Sequence, residues 1–330
     1  MARGRITGTA LSEFALIDRI RERTAGTRRG VALGIGDDAA LLDLAPGRQL
    51  VACTDTLVAG VHFLVDTPPA HVGWKALAVN LSDLAAMGAE PAWALLALTL
   101  PQADAAFVDQ FAGGFAELAR AHGVALVGGD TTGGPLSITV TALGNVPTGA
   151  ALTRAGAHVG DAILVTGTLG DAAGALRLAT TAGGRMAVDA ALLARMDRPT
   201  PRVAAGLALR GVATACIDVS DGLLADLGHV CVASGVGAEI DADALPLSTA
   251  LRVRFDPVEG RELALSGGDD YELCFTLPGG RAAEVVGLLD HAGCAATRIG
   301  RIVAGAGVRV LDARGKVVTP RHMGWEHFSQ

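Results

Sequence analysis

Apolar and polar positions along the chain alternate in two rhythms. Over Glu13–Arg23, His71–Met87 and Ala103–His122 the apolar residues recur at three- and four-residue spacing, which predicts amphipathic helices. Val51–Val58, Ala92–Leu100, Ala125–Val127 and Ser137–Val146 are short runs rich in aliphatic and β-branched residues, which predicts strands. Gly88 and Gly123 follow two of the helices, where a left-handed residue closes the last turn. A second set starts near residue 150. Its predicted strands are Ala162–Thr166, Thr214–Val219, Tyr271–Leu277 and Val308–Leu311, and its predicted helices are Asp171–Leu178, Pro201–Leu209, Leu223–Ala233 and Arg281–His291. Between the sets, Pro147–Gly160 is rich in Gly and Ala and has little periodicity. The boundary is placed there, giving two mixed α/β (α+β) domains, residues 1–150 and 151–330, and 330 residues suffice for two cores.

Composition narrows the packing. Half of the residues are apolar but aromatics make up only 4%, so the core is built from Ala, Val and Leu, which favours close approach of helix and sheet. The longest apolar stretches, such as Trp93 to Leu98, fall short of the roughly 20 residues that cross a bilayer. The opening segment MARGRITGTALSEF lacks an apolar signal core, so a cytoplasmic chain is expected, with no membrane partner. Five scattered cysteines, odd in number and without a CxxC pair, argue against a disulfide scaffold or a structural zinc site. A net charge of −7 with no basic tract argues against nucleic-acid binding. With only Lys75 and Lys316 as lysines, any phosphate chemistry must rely on metal ions, arginine and backbone N–H groups.

The placing of aspartates carries the chemistry. Asp37 and Asp38 stand in LGIGDDAALL, Asp55 in VACTDTLV, Asp83 in AVNLSDLAAMG and Asp130 in LVGGDTTGG. Asp218 and Asp221 stand in CIDVSDGLL, Asp269 and Asp270 in LSGGDDYEL, and no Lys or Arg occurs within these motifs. Burying ionised carboxylates needs a counter-charge. Mg²⁺ supplies it best, because it takes oxygen ligands and bridges carboxylates to phosphates. No His/Cys set points to a softer metal. In a strand, Asp55 points opposite to Thr54 and Thr56. On a helix, Asn80 and Asp83 share the polar side, opposite Leu77, Ala78, Leu81, Leu84 and Ala85. Asp104, Asp161 and Asp171 fit ordinary caps or turns, and for Asp221 cap and ligand roles both stand open.

Three glycine turns flank strands: Gly128-Gly129-Asp130, Gly167 to Gly170, and Gly267-Gly268-Asp269. Each lets backbone N–H groups approach an anion. The P-loop pattern GxxxxGK[ST] is absent, as are the protein-kinase signatures.

Together these segments resemble the thiamine-monophosphate kinase family of the aminoimidazole-ribonucleotide synthetase superfamily. The matching wording runs through EFALIDRI, LGIGDDAALL, TDTLVAGVHF, KALAVNLSDLAAMGAEPAW, VGGDTTGGPLSITVTALG, ALTRAGAHVGDAILVTGTLGD, CIDVSDGLLADLGHV, ALSGGDDYELCFT and GWEHF, in order and over nearly the whole chain. The resemblance implies ATP-dependent conversion of thiamine monophosphate to thiamine diphosphate by direct in-line transfer with several Mg²⁺ ions. It implies a homodimer whose N-terminal sheets form a barrel-like interface, and a C-terminal α/β sandwich that completes the nucleotide and substrate site. Carried over by motif, Asp38, Thr54, Asp55, Asp83, Asp130, Asp218 and Asp221 match metal ligands. Cys53 stands where the family often has Ser, and its backbone carbonyl is the group expected to serve there. Gly129, Arg154 and Ser220 match ATP-binding positions, and His62, Asp269 and Trp325 match positions against thiamine phosphate. Asp269 stands where relatives often carry Glu.

The mechanism expected is electrostatic. A phosphate acceptor and ATP repel each other, so cations between them do the main work. The acceptor oxygen is already largely deprotonated near neutral pH, so no residue is assigned as an acid or base. Relatives in the superfamily are the nearest rivals. A selenophosphate synthetase should carry a reactive Cys and a Lys near the start, and a hydrogenase-maturation relative should end in Cys; neither is present. A non-catalytic nucleotide-sensing scaffold has no need for so many mutually repelling acids.

Overall fold

The computed structural model of the chain describes residues 12–24, 30–35, 39–181 and 184–325. They form two compact units, each discontinuous in sequence: residues 1–43, 54–77 and 92–142 in the first, and 44–53, 78–91 and 143–330 in the second.

The first nine elements are α1 (Glu13–Thr24), β1 (Val31–Leu33), β2 (Leu41–Leu42), β3 (Arg48–Val58), α2 (Pro69–Ala86), β4 (Glu90–Leu100), α3 (Ala105–Ala121), β5 (Ala125–Gly133) and β6 (Ser137–Pro147). β3, α2, β4 and β6 have residues in both units. A four-stranded sheet runs β3-β6-β4-β5 with β4 and β5 parallel. Within the single chain this sheet is open, with β3 and β5 at its edges. α3 starts where Asp104 accepts from the N–H groups of Ala106 and Phe107, the cap expected of it. Small residues let α2 and α3 touch backbone to backbone: a Cβ on Gly114 would lie 1.8 Å from the Ala70 carbonyl, and one on Gly73 2.0 Å from that of Phe111. Arg19 on α1 binds Asp109 on α3 at 2.7 Å.

One element departs from its reading. Gly128-Gly129-Asp130, expected as a turn after a short strand, lies inside the nine-residue β5. The backbone explains why: a Cβ on Gly129 would lie 1.9 Å from the Leu96 carbonyl, and its φ is 153°. The parallel register slips between Ala94 and Leu95, opposite Leu126 and Gly128. Glycine here serves close strand approach at a bulge, not chain reversal.

The second unit continues with β7 (Asp161–Thr166), α4 (Asp171–Thr181), α5 (Ala190–Asp197), α6 (Val203–Leu209), β8 (Ala215–Val219), α7 (Leu223–Ser234), β9 (Gly237–Asp241), α8 (Thr249–Arg254), α9 (Pro257–Ser266), β10 (Glu272–Pro278), α10 (Ala282–His291), β11 (Ala296–Val303), β12 (Gly307–Leu311) and β13 (Val317–Val318). Its seven-stranded sheet runs β13-β12-β9-β11-β7-β10-β8. The pairs are antiparallel apart from β12 on β9. Ile163, Val165, Ile217, Val219, Ile240 and Ile299 form its core with Leu223, Leu227 and Val230 of α7. β8 is an edge strand, and the Cys216 N–H donates to the Thr153 carbonyl at 2.9 Å, so residues after Pro147 cover part of that edge. The five cysteines, all among the described residues, form no disulfide. Among the described residues no helix is long and apolar enough to cross a membrane.

Candidate functional site

In the second unit, β3, α2 and β8 surround a cleft of about 230 Å³ lined by Cys53, Asp83, Met87, Arg154, Cys216 and Asp218, among others. Strand periodicity fixes what β8 offers. Ala215, Ile217 and Val219 enter the core, so Cys216 and Asp218 take the other face. Asp218 is buried and accepts from the Ser82 hydroxyl at 2.7 Å. Arg154 reaches the cleft because its neighbour Thr153 is bonded to the β8 edge. Cys53 donates its thiol to the Asn80 carbonyl at 3.4 Å, which turns the side chain toward α2. Asn80 is fully buried, so the polar side predicted for α2 is not a solvent face. The lining therefore holds two carboxylates, Asp83 and Asp218, beside one guanidinium.

The turn after β8 is organised by a residue that sequence reading passed over. Asp226, in the first turn of α7, accepts from the N–H groups of Ser220, Asp221 and Gly222 at 3.0, 3.1 and 3.1 Å with one carboxylate oxygen. Gly222 is the N-cap of α7 and has no side chain to offer, so the cap function open to Asp221 falls to Asp226 instead. Burial, then the charges of Asp218 and Asp221, push the Asp226 carboxyl up to about 7 against those N–H bonds. That push comes first from burial and then from the neighbouring acids of the same turn. The signal for Asp226 was in the sequence: an acid four residues past a capless glycine at a helix start.

Two further segments meet this turn through backbone bonds. The Asp269 N–H donates to the Ser220 carbonyl, the Tyr271 N–H to that of Val219 and the Trp325 N–H to that of Asp221, each at 2.8 Å. Ser220, Asp221, Asp269 and Trp325, more than 100 positions apart at the extremes, are thus brought together. Trp325 is 57% exposed.

The 269–271 turn is strained. Among the described residues, Asp269 and Tyr271 are the non-glycine residues with positive φ, at 68° and 50°. Such backbone costs on the order of 1–3 kcal/mol per residue unless its surroundings enforce it. Here they do. Asp270, buried between the two, receives the Gly170 N–H on both oxygens at 3.0 and 2.8 Å. Arg195 donates to the Asp270 carbonyl at 3.2 Å and to Glu272 at 2.6 Å. Glu272, with no exposed surface, also takes a two-pronged Arg202 at 2.6 and 2.7 Å and the Thr166 hydroxyl at 2.6 Å. Glu272, Arg195 and Arg202 were not legible as partners, because the pairing spans 70 residues or more.

In the first unit, Asp55 is half-buried in mid-strand. Thr54 and Thr56 lie on the opposite face, bonded to Thr141 at 3.1 Å and Thr139 at 2.8 Å. Gly129 and the exposed Asp130 border a separate small cavity with Ile17, Ile20 and Leu126. His62 accepts the Val58 N–H on Nδ1 at 2.9 Å, and its carbonyl takes the buried Lys75 ammonium at 3.0 Å. Asp38 lies outside the described residues.

The donors fit a hard cation in one way only. Among the described residues no three His, Cys, Asp or Glu side chains are grouped closely enough to hold an ion. Carboxylates flanking the cleft suit Mg²⁺ held by one or two protein oxygens, with phosphate and water completing the shell.

A family model for the N-terminal domain of AIR synthase related proteins matches residues 36–146, and one for the C-terminal domain matches residues 158–313. The chain belongs to the AIR synthase related protein family. Thiamine-monophosphate kinase of Escherichia coli (strain K12) is 47% identical to this AIR synthase related chain over 325 residues, 97% of this chain and 99% of that protein. The crystal structure of thiamine-monophosphate kinase from Stenotrophomonas maltophilia K279a superposes with a TM-score of 0.85 at 52% identity, covering 94% of this chain and 99% of that one. A solved AaThiL complexed with AMPPCP and TMP has a TM-score of 0.76 at 34% identity, covering 99% of this chain and all of that one. The relatives are those that the sequence motifs indicated.

Proposed function

We propose that this chain transfers the terminal phosphoryl group of ATP to thiamine monophosphate, giving thiamine diphosphate and ADP. The observation that carries the reading is the convergence on one turn: Asp226 holds Ser220–Gly222, to which Asp269 and Trp325 are bonded. The near full-length identity to thiamine-monophosphate kinases supports it, as does a relative complexed with AMPPCP and TMP.

In this reading Asp83, Asp218 and Asp221, with Asp38, Thr54, Asp55, Asp130 and the Cys53 carbonyl, hold Mg²⁺. The bound ions supply charge neutralisation between two anionic reactants. Gly129, Arg154 and Ser220 take the nucleotide, and His62, Asp269 and Trp325 the acceptor. The chain's own part is alignment: fixed backbone donors and a guanidinium orient the phosphates, which is what in-line transfer needs. No side chain is asked to move a proton. Residues 1–150 and 151–330 act as two domains, the enzyme is cytoplasmic, and two copies pair through their N-terminal sheets.

The test is a coupled assay with purified protein, ATP, Mg²⁺ and thiamine monophosphate, following the diphosphate directly. ADP release that depends on thiamine monophosphate is expected. Nucleotide binding without turnover would replace this reading with the scaffold.

A further inference from the structure

Tyr271 has a polar end, a strained backbone and no role in the reaction as described so far. It is the sole tyrosine of the chain and is 7% exposed. Its hydroxyl donates to the Asp269 carboxylate at 2.8 Å. Both residues have left-handed backbone, and the residue between them is pinned by the Gly170 N–H and by Arg195. Glu272, next in the chain, is clamped by Arg195 and Arg202. Anchors on both sides thus force the backbone of 269 and 271 into a conformation in which their side chains meet over a buried Asp270. A turn needing only chain reversal would carry glycine at those two positions. Keeping side chains there, at a backbone cost, is explained if the side chains act as a pair.

We propose that Tyr271 is a positioning residue for the phosphate acceptor, aiming the Asp269 carboxylate by holding one of its oxygens. The proposal rests on the reading that Asp269 faces thiamine monophosphate. Asp269 has a short side chain, so its reach depends on where the turn and the phenol set it. A phenol donating to a carboxylate removes one of its rotamers from competition and so fixes the direction in which the group is presented.

The experiment compares Tyr271→Phe, which keeps the ring and removes the hydroxyl, with Asp269→Asn, each measured for KM of both substrates and for kcat. A hydrogen bond to a charged group predicts that Tyr271→Phe raises KM for thiamine monophosphate about tenfold. KM for ATP should stay within about twofold, a split that general loosening of the fold would not give. If Asp269→Asn raises that KM and Tyr271→Phe does not, the positioning role is overturned while the acceptor reading stands. If neither moves it, Asp269 does not face the acceptor and both fall. A second measurement is independent of the variants. Biosynthetic 3-fluorotyrosine labels position 271 alone, and its fluorine resonance should shift on adding thiamine monophosphate without ATP. A resonance unmoved by saturating thiamine monophosphate overturns the proposal even where Tyr271→Phe fails to fold.

Discussion

Asp55 and Asp130 in one unit, and Asp218, Asp226, Asp270 and Glu272 in the other, are all acids in apolar or glycine-rich motifs, yet they are held by different means. Asp55 projects from mid-strand half-buried, and Asp130 is exposed beyond a glycine bulge. In the second unit Asp218 takes the Ser82 hydroxyl while lining the cleft, and three other acids are built into the fold: Asp226 on three N–H groups, Asp270 on Gly170, Glu272 on two arginines. The difference teaches that an acid-rich motif mixes two populations. In the proposed reading some carboxylates face a ligand, while others hold the backbone that presents them.

The largest effect expected is on turnover. Asp55→Asn from the first unit and Asp83→Asn from the second should each lower kcat/KM by about a thousandfold or more, roughly 4 kcal/mol of transition-state stabilisation. Their melting temperatures should stay near that of the parent. In chelator they should match or exceed it, because like charges that an ion would separate are removed. Near-normal activity at saturating Mg²⁺ would take that acid out of the ligand-facing population. A lower melting point in chelator would move it to the structural one.

Glu272→Gln should do the reverse. It leaves Arg195 and Arg202 buried against a neutral amide, and breaking a buried pair costs about 3–5 kcal/mol. Urea midpoints should fall accordingly, whereas Asp130→Asn, an exposed acid, should leave the midpoint unchanged. Equal midpoints for both variants would erase the contrast drawn between the units.

Gly129→Ala and Gly133→Ala sharpen the same comparison within a single strand. A Cβ at 129 meets the Leu96 carbonyl, while one at 133 meets nothing within 4 Å. The first should cost about 2–3 kcal/mol from overpacking, the second close to nothing. Equal costs would mean that strand propensity, not close approach, governs β5.

What the sequence made legible follows the range of the forces involved. Periodicity placed α2, α3, β4 and β6 within a few residues, because local side-chain alternation determines them. It also put Asp55 on the face opposite Thr54 and Thr56, as the Thr–Thr bonds across the sheet bear out. In the second unit it missed, among others, α5, α8, α9, β9 and β11. Their stability comes from tertiary contact, such as Ile240 and Ile299 in a shared core, more than from local pattern. At the site, motifs named Asp218, Ser220, Asp221, Asp269 and Trp325 but not the bonds among them. Gly128-Gly129 read as a turn because glycine's need for space and its freedom of φ look alike in one dimension. Asp226 and Glu272 escaped notice because their partners lie on backbone N–H groups, which carry no letter, or across the fold; Tyr271 escaped because its bond to Asp269, two residues away, forms only once both take a left-handed backbone.

The smallest effect expected concerns Asp270, and it tests whether a structural acid is charged at all. Burial raises its carboxyl well above the ordinary carboxylate range, with the Gly170 N–H and then Arg195 pulling the other way and Asp171 and Glu272 adding to the rise. A folded value above the unfolded one means that the native state keeps a proton the unfolded chain has already lost. The stability that this proton confers is complete below the unfolded value of about 4 and drains away as pH rises through the folded value. Asp270→Asn cannot lose that proton and still accepts from Gly170, so its melting temperature should vary less between acid and mildly alkaline pH. A variant that melts lower by the same amount at every pH would show that Asp270 is ionised throughout and held by Arg195. The strained turn beside it would then be fixed by an ion pair, and not by a neutral acid.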